Sequence, residues 1–374
     1  RDNKNYFEVE CVPIIEAMRC PLPAFGSEAN GKYRLFCFWD RESSDHILES
    51  IGDTLGQPAT IVFHFGRLSQ AKARELANKC RERRRTALFI DELLMLYLCG
   101  VRNDRMPVMF RCALPFTHIE PYTSQAGIVP PEMFYGRKRE IQLIINAQAG
   151  FIYGGRQLGK TALLREAERQ FHRPQEGKHA YWIDLQGEEL TEIDDIWNII
   201  GDKLSSAGVL YRKSKWTQKV LDEIKAWLDK DDQRRILLLL DESDRFLELD
   251  GKEHLDGSKT SDDRVGFHRC RLLKNLMDVT RRRFHVVFAG LHNVQRTTRN
   301  ENNPLAHFGE SLCIGPLQYE WAAARDLVMQ PMKLGGYVFD DEKGQDLVMR
   351  ILSQTNYYPS LIQLYCKQLL YHVL

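Results

Sequence analysis

The chain has 374 residues, 43% of them hydrophobic, with 52 basic against 51 acidic side chains and a formal net charge of +1. That length supports two or three domains with cores of their own, and the interspersed, near-neutral charge excludes a global basic field that would force nucleic-acid binding. Nine cysteines show no C-x-x-C or Cys/His metal spacing, no run reaches membrane-spanning length, and no signal-peptide pattern opens the chain, so reduced thiols in the cytoplasm and no membrane are expected.

Residues 1–128 carry no motif tied to chemistry, but their pattern is legible. Residues 33–39, 59–65, 86–91 and 108–114 read as strands, and 69–85 as a helix capped by Ser69. Strand and helix alternate, which predicts a small α/β domain with a parallel sheet, receiver-like or a degenerate ATPase-like regulatory unit, of unknown role. Asp91 and Glu92 follow an apolar strand as an acid pair, but no glycine loop accompanies them. His64, at a strand centre, reads as a packed histidine. The basic runs 81–85 and 281–283 end helices, where cations suit the dipole. Pro115, Pro121, Pro130 and Pro131 break regular structure and mark a linker.

The run Gly154-Gly155-Arg156-Gln157-Leu158-Gly159-Lys160-Thr161 fits G-x-x-x-x-G-K-[ST], a phosphate-binding loop. An apolar strand leads in, and a helix-favouring run opening at Ala162 leads out. Glycines let backbone N–H groups turn toward phosphate oxygens, and the helix start adds its positive end. Lys160 is expected to reach the β- and γ-phosphates of ATP, and Thr161 to place its hydroxyl on Mg²⁺. Residues 236–240 are five consecutive apolar residues, a strand buried on both faces, and Asp241 and Glu242 close it. Asp241 is the metal-binding carboxylate and Glu242 orients or deprotonates the attacking water. Asp244 reads as a cap of the next helix. Residues 180–185 and 284–290 are further strands of the same parallel sheet. Beyond the latter, Asn293, with His292 second, is the candidate sensor of the γ-phosphate. Arg296 or Arg299 is the candidate to act on a neighbouring subunit's nucleotide. Residues 250–266 read as a polar loop.

With these motifs the chain resembles the AAA+ and STAND branch of P-loop ATPases, and within it the origin-recognition-like archaeal group, over about residues 130–374. Phe134-Tyr135-Gly136-Arg137-Lys138-Arg139-Glu140 resembles the F-x-G-R-x-x-E segment that opens such modules, which implies that Gly136 and Arg137 lie near the adenine. Residues 237–242 resemble the Walker B strand, and Asn303-Pro304-Leu305 and Gly315-Pro316-Leu317 the run into the last core strand. Tyr357-Tyr358-Pro359-Ser360-Leu361 falls where STAND proteins carry a glycine-x-proline motif; Tyr357 replaces the glycine, and Pro359 keeps the position that faces the nucleotide. No clear sensor-2 arginine is present, with Lys367 as a substitute.

The expected architecture is an α/β P-loop three-layer core with a parallel sheet (129–318), a C-terminal helical lid (319–374) and the smaller N-terminal α/β domain (1–128). The lid shows three helical patterns, 320–329, 340–353 and 359–373, with Leu361, Tyr365 and Leu369 as a packing stripe. The resemblance implies an ATP- and Mg²⁺-dependent switch that assembles into homo-oligomers on ATP binding, in signalling or antiviral defence, with a protein effector or nucleic acid as partner. A DNA-associated AAA+ ATPase resembling replication initiators or transposition helpers is the alternative. The chain opens on Arg1 and ends inside a helical pattern, so a piece of a larger protein is expected.

Overall fold

The computed structural model describes residues 7–10, 32–39, 43–52, 59–83, 85–102, 105–122, 129, 133–187, 193–210, 217–252, 267–290 and 307–373. The chain falls into two compact units, Arg1–Gly136 together with Pro316–Leu374, and Arg137–Gly315. Residues 1–128 and 319–374, read from sequence as an N-terminal domain and a lid, fall in the same unit.

The second unit is built on five parallel strands: β5 (Ala149–Tyr153), β6 (Lys178–Asp184), β7 (Arg235–Asp241), β8 (Phe284–Gly290) and β9 (Glu310–Cys313). Their order is β6-β7-β8-β5-β9. β8 therefore separates the strand that feeds the glycine loop from the strand that carries the acid pair. Every residue of β8, and all of β7 but Arg235, is buried, as expected of central strands covered on both faces. The cover comes from α5 (Lys138–Ile145), α6 (Lys160–Phe171), α7 (Asp195–Ser206), α8 (Thr217–Leu228), α9 (Asp244–Lys252) and α10 (His268–Val279). Phe151, Phe288 and Phe308 meet ring to ring in the core. Residues 250–252, read as the start of a loop, are the last turn of α9. Asp250 is fully buried there, and its two carboxylate oxygens accept from the N–H groups of Arg269 and Cys270 at 3.1 and 2.9 Å. It thus satisfies the open donors at the start of α10, which charge and helix dipole both favour.

The first unit contains a four-stranded sheet in the sequential order β1-β2-β3-β4, from β1 (Phe7–Glu10), β2 (Lys32–Trp39), β3 (Ala59–Phe65) and β4 (Ala87–Asp91). β2, β3 and β4 are parallel; β1 is an antiparallel edge. The described strands show no reversal of order, unlike the doubly wound order of a receiver-like sheet. α1 (Ser44–Ile51) and α2 (Gln70–Glu82) pack on one face, and Ser69 caps α2 as read from sequence. α3 (Glu92–Gly100) and α4 (Arg105–Ala113) serve the other. The strand expected at 108–114 is therefore a helix. Met109, Phe110, Ala113 and Leu114 are buried at helical spacing, which overrides the strand-like composition of the run. His64 is buried as expected, 3.2 Å through Nδ1 from the carbonyl of Gly66.

The lid comprises α11 (Trp321–Leu334), α12 (Glu342–Gln354) and α13 (Pro359–Val373). Its packing stripe is one residue out of step with the expectation. Ile362, Cys366 and Leu370 are buried, whereas Leu361, Tyr365 and Leu369 line a surface groove of about 460 Å³ with Leu364 and His372. The lid joins the N-terminal domain through specific contacts. The Tyr122 hydroxyl donates to the Val328 carbonyl at 2.6 Å, Lys367 pairs with Glu120 at 2.8 Å, and Gly335 leaves no room for a Cβ beside Ile119.

Candidate functional site

The glycine loop joins β5 to α6 at the carboxyl end of the sheet. Its conformation explains its composition. Gly154 has φ 156, and a Cβ there would lie 2.3 Å from the carbonyl oxygen of Ile314, the residue just past β9, which enforces glycine. Gly159 caps α6 at φ 87, and Gln157 sits at φ 63. Left-handed residues of this kind turn successive N–H groups toward a common point, a concavity for anions in front of a helix N-terminus. Leu158 and Ala162 are buried and anchor the loop, while Gly155, Arg156 and Gln157 are not. Lys160 is only 7% exposed, and its ammonium donates to the carbonyls of Gly154 and Gly155 at 3.0 and 2.9 Å. Burial holds the Lys160 amine below the usual lysine range, against the pull of Glu242, Asp241 and Asp244. Thr161, next along α6, is half-buried.

The acids come from the ends of β6 and β7, where Asp184 pairs in register with Asp241. Asp241 is 1% exposed. One of its oxygens accepts from the Glu242 N–H at 3.0 Å and the other from the Trp182 indole at 3.2 Å. Glu242 follows at φ 48, a left-handed conformation that a non-glycine residue adopts only at a cost of order 1 kcal/mol. Ser243 fixes the next step, donating to the Ala289 carbonyl from both N–H and hydroxyl at 2.8 Å. Burial, then Asp241, pushes the Glu242 carboxyl above its ordinary range. A carboxylate made more basic, close to a lysine made less basic, is the pairing expected where proton affinity is tuned for chemistry. Asp244 begins α9 and packs its carboxylate over Gly290, the last residue of β8.

A magnesium ion keeps several waters and asks a protein for one or two hard oxygen ligands beside phosphate. The Asp241 carboxylate and the Thr161 hydroxyl fit that demand. Among the described residues no group of three or more His, Cys, Asp or Glu side chains is placed to hold a metal by itself.

Arg137 begins α5 at φ 60; its guanidinium donates to the Gly315 carbonyl and lies 3.7 Å from Glu140. Gly136 and Pro359 belong to the other unit, as does Lys367. Tyr357 has φ 58 and its carbonyl accepts from the Leu317 N–H at 2.9 Å, so the tyrosine that replaces the motif's glycine keeps a glycine-like backbone. Asn293, His292, Arg296, Arg299 and the 303–305 run lie outside the described residues. Of the basic run 281–283, Arg282 donates to the carbonyls of Ala147 and Phe308, and Arg283 pairs with Asp229, at the end of the sheet opposite the loop. Sequence reasoning missed Trp182. Its indole on β6, two residues before the strand end, is the signal that it faces the neighbouring strand's carboxylate.

No protein-family model and no curated protein matches the chain. Among solved structures it is similar to the Aeropyrum pernix ORC2 protein in ADPNP–ADP complexes, at 15% identity and a TM-score of 0.42, over 64% of this chain and 62% of that one. It is also similar to AMPPCP-bound DnaA from Aquifex aeolicus (14% identity, TM-score 0.34, 62% of this chain and 57% of that one) and to domain III of Thermotoga maritima DnaA (10%, 0.31, 59% and 80%). The chain thus spans less than two thirds of the first of these. The second unit is a parallel α/β sheet in which β8 separates the loop-bearing β5 from the acid-bearing β7.

Proposed function

We propose that the chain is a magnesium-dependent ATPase that works as a nucleotide-controlled switch, its ATP-bound state favouring assembly with further copies. The observation that carries the reading is the convergence, at the carboxyl end of one sheet, of a preformed anion loop, a buried lysine and an acid pair whose Glu242 has a strained backbone. The loop N–H groups and the α6 N-terminus receive the phosphates, and Lys160 exchanges its two loop carbonyls for phosphate oxygens. Asp241 and Thr161 hold the ion; when bound, magnesium offsets phosphate charge. Glu242, with its raised proton affinity, takes the proton of the attacking water. The family-like segment 357–361 supports a role in signalling or antiviral defence by resemblance alone. The inward commitments of Arg282 and Arg283 lend no weight to the DNA-associated alternative.

The test is the Glu242→Gln protein. It binds ATP as tightly as the parent, hydrolyses it at least about a hundredfold more slowly, and forms a larger species with ATP–Mg²⁺ than with ADP. Parental turnover in this variant contradicts the assignment.

A further inference from the structure

The second unit holds a cavity of about 560 Å³ at the end of its sheet opposite the glycine loop. Among the described residues its lining includes six cations, Arg173, Lys178, Arg235, Arg281, Arg282 and Arg283, and no carboxylate. Parallel strands bring them together. Lys178 opens β6, Arg235 opens β7 in register with it, and the 281–283 run leads into β8. Two acids beside the cavity answer only part of this charge. Glu176 pairs with Lys178 at 2.7 Å and lies 3.9 Å from Arg173, and Asp229 holds Arg283 at 2.8 Å. The other three guanidiniums meet no carboxylate among the described residues. Arg235 spends only Nη1, on the carbonyls of Asp232 and Arg234, and Arg282 donates to those of Ala147, Phe308 and His307. Arg281 is exposed, and its side chain has no hydrogen bond or ion pair among the described residues.

His285 lines the same cavity and is buried. Its Nε2 lies 2.6 Å from the Ala149 carbonyl oxygen and so carries the proton, which leaves Nδ1 as an acceptor. That Nδ1 is buried without a hydrogen-bond partner among the described residues. A buried polar atom in this condition asks for a partner, and a ligand hydroxyl supplies one.

We propose that this cavity is a second anion site, which takes a small molecule carrying two or more phosphates on Lys178, Arg235, Arg281 and Arg282. Guanidinium forks match phosphate oxygens, and the free donors of Arg235 and Arg281 are of that kind. Size favours a small molecule, since such sites occupy roughly 300–1,000 Å³. A nucleic-acid strand is held along a track of cations and stacking rings, whereas these cations converge on one concavity. Ile145 and Phe171, both half-buried, give it an apolar wall.

The cavity shares no residue with the glycine loop, so its test is independent of the proposed function. Tripolyphosphate is titrated calorimetrically into Lys160→Ala, which removes competition at the loop, and into the parent. Binding on the order of tens of micromolar is expected in both. Arg281→Gln and Arg235→Gln, each in the Lys160→Ala background, weaken it roughly tenfold or more with an unchanged ligand-free melting temperature, and Arg281→Lys weakens it less. ADP against pyrophosphate separates the sources: tighter ADP identifies a nucleotide with its base on the apolar wall, and equal affinity identifies the phosphates alone. No binding at millimolar tripolyphosphate overturns the proposal. So does binding that neither Arg281→Gln nor Arg235→Gln weakens. An oligothymidylate that binds more tightly than tripolyphosphate, and is lost with Arg281→Gln, overturns it in favour of a nucleic-acid surface.

Discussion

The indole of Trp182 donates to the carboxylate of Asp241, Nε1 to Oδ2, at 3.2 Å across the β6–β7 pair. Two residues of α6, the helix that the glycine loop feeds, hold the tryptophan in turn. The Arg165 guanidinium lies over its ring, 3.5 Å from the centroid, and Glu168 accepts its backbone N–H at 2.8 Å. The loop's helix and the acid strand are thus linked through one side chain, although β5 and β7 do not touch in the sheet.

Trp182→Phe keeps an aromatic ring under Arg165 and deletes the donor to Asp241. A hydrogen bond to a charged acceptor is worth about 1.5–3 kcal/mol, so hydrolysis falls roughly tenfold to a hundredfold, with a higher magnesium requirement and unchanged metal-free ATP affinity. A magnesium titration of steady-state hydrolysis checks this; a parental response means that Asp241 does not depend on the indole.

Asp250→Ala tests the buried carboxylate between α9 and α10. Two backbone donors of α10 lose their acceptor, and Arg269 loses a carboxylate 4.0 Å away while keeping its pair with Asp194 at 2.8 Å. A loss of about 2–4 kcal/mol in unfolding free energy is expected from denaturant titration. A loss within 0.5 kcal/mol, the range of ordinary surface changes, contradicts the clamp.

His285 gives a pH dependence. It is buried at 2% exposure, its Nε2 is 2.6 Å from the Ala149 carbonyl oxygen, and burial lowers its pKa from 6.5 to about 4. Between those values the unfolded chain binds the proton and the folded one does not, so stability rises with pH there and is lost on acidification from about 6.5 to about 4. The full effect is about 3 kcal/mol. The denaturation midpoint of the parent falls more steeply through this window than that of His285→Gln; parallel curves refute the assignment.

The glycine loop and the acid-bearing strand of the second unit were legible in the sequence because their geometry is local. Gly154, Gly159, Lys160 and the pair Asp241–Glu242 announce themselves by spacing within one turn or one strand end. What escaped depends on distant partners. Trp182 meets Asp241 from 59 residues away. Strand-like composition hid the helix at 105–113 because Met109, Phe110 and Ala113 are chosen for a face, not for alternation. In α13 apolar residues occupy two adjacent stripes, and only the packing of α11 and α12 decides that Ile362, Cys366 and Leu370 turn inward. Tyr357 is the reverse case: the motif asks for glycine, and the backbone adopts φ 58 with a tyrosine in place.

The most direct measurement is calorimetric titration of ATP–Mg²⁺ into the parent and into Lys160→Ala. The parent is predicted to bind, and the variant to bind roughly a hundredfold more weakly, the loss of charge-assisted phosphate contacts, at an unchanged melting temperature. Equal affinity in the two proteins, or no binding by a folded parent, would contradict a nucleotide site at this loop.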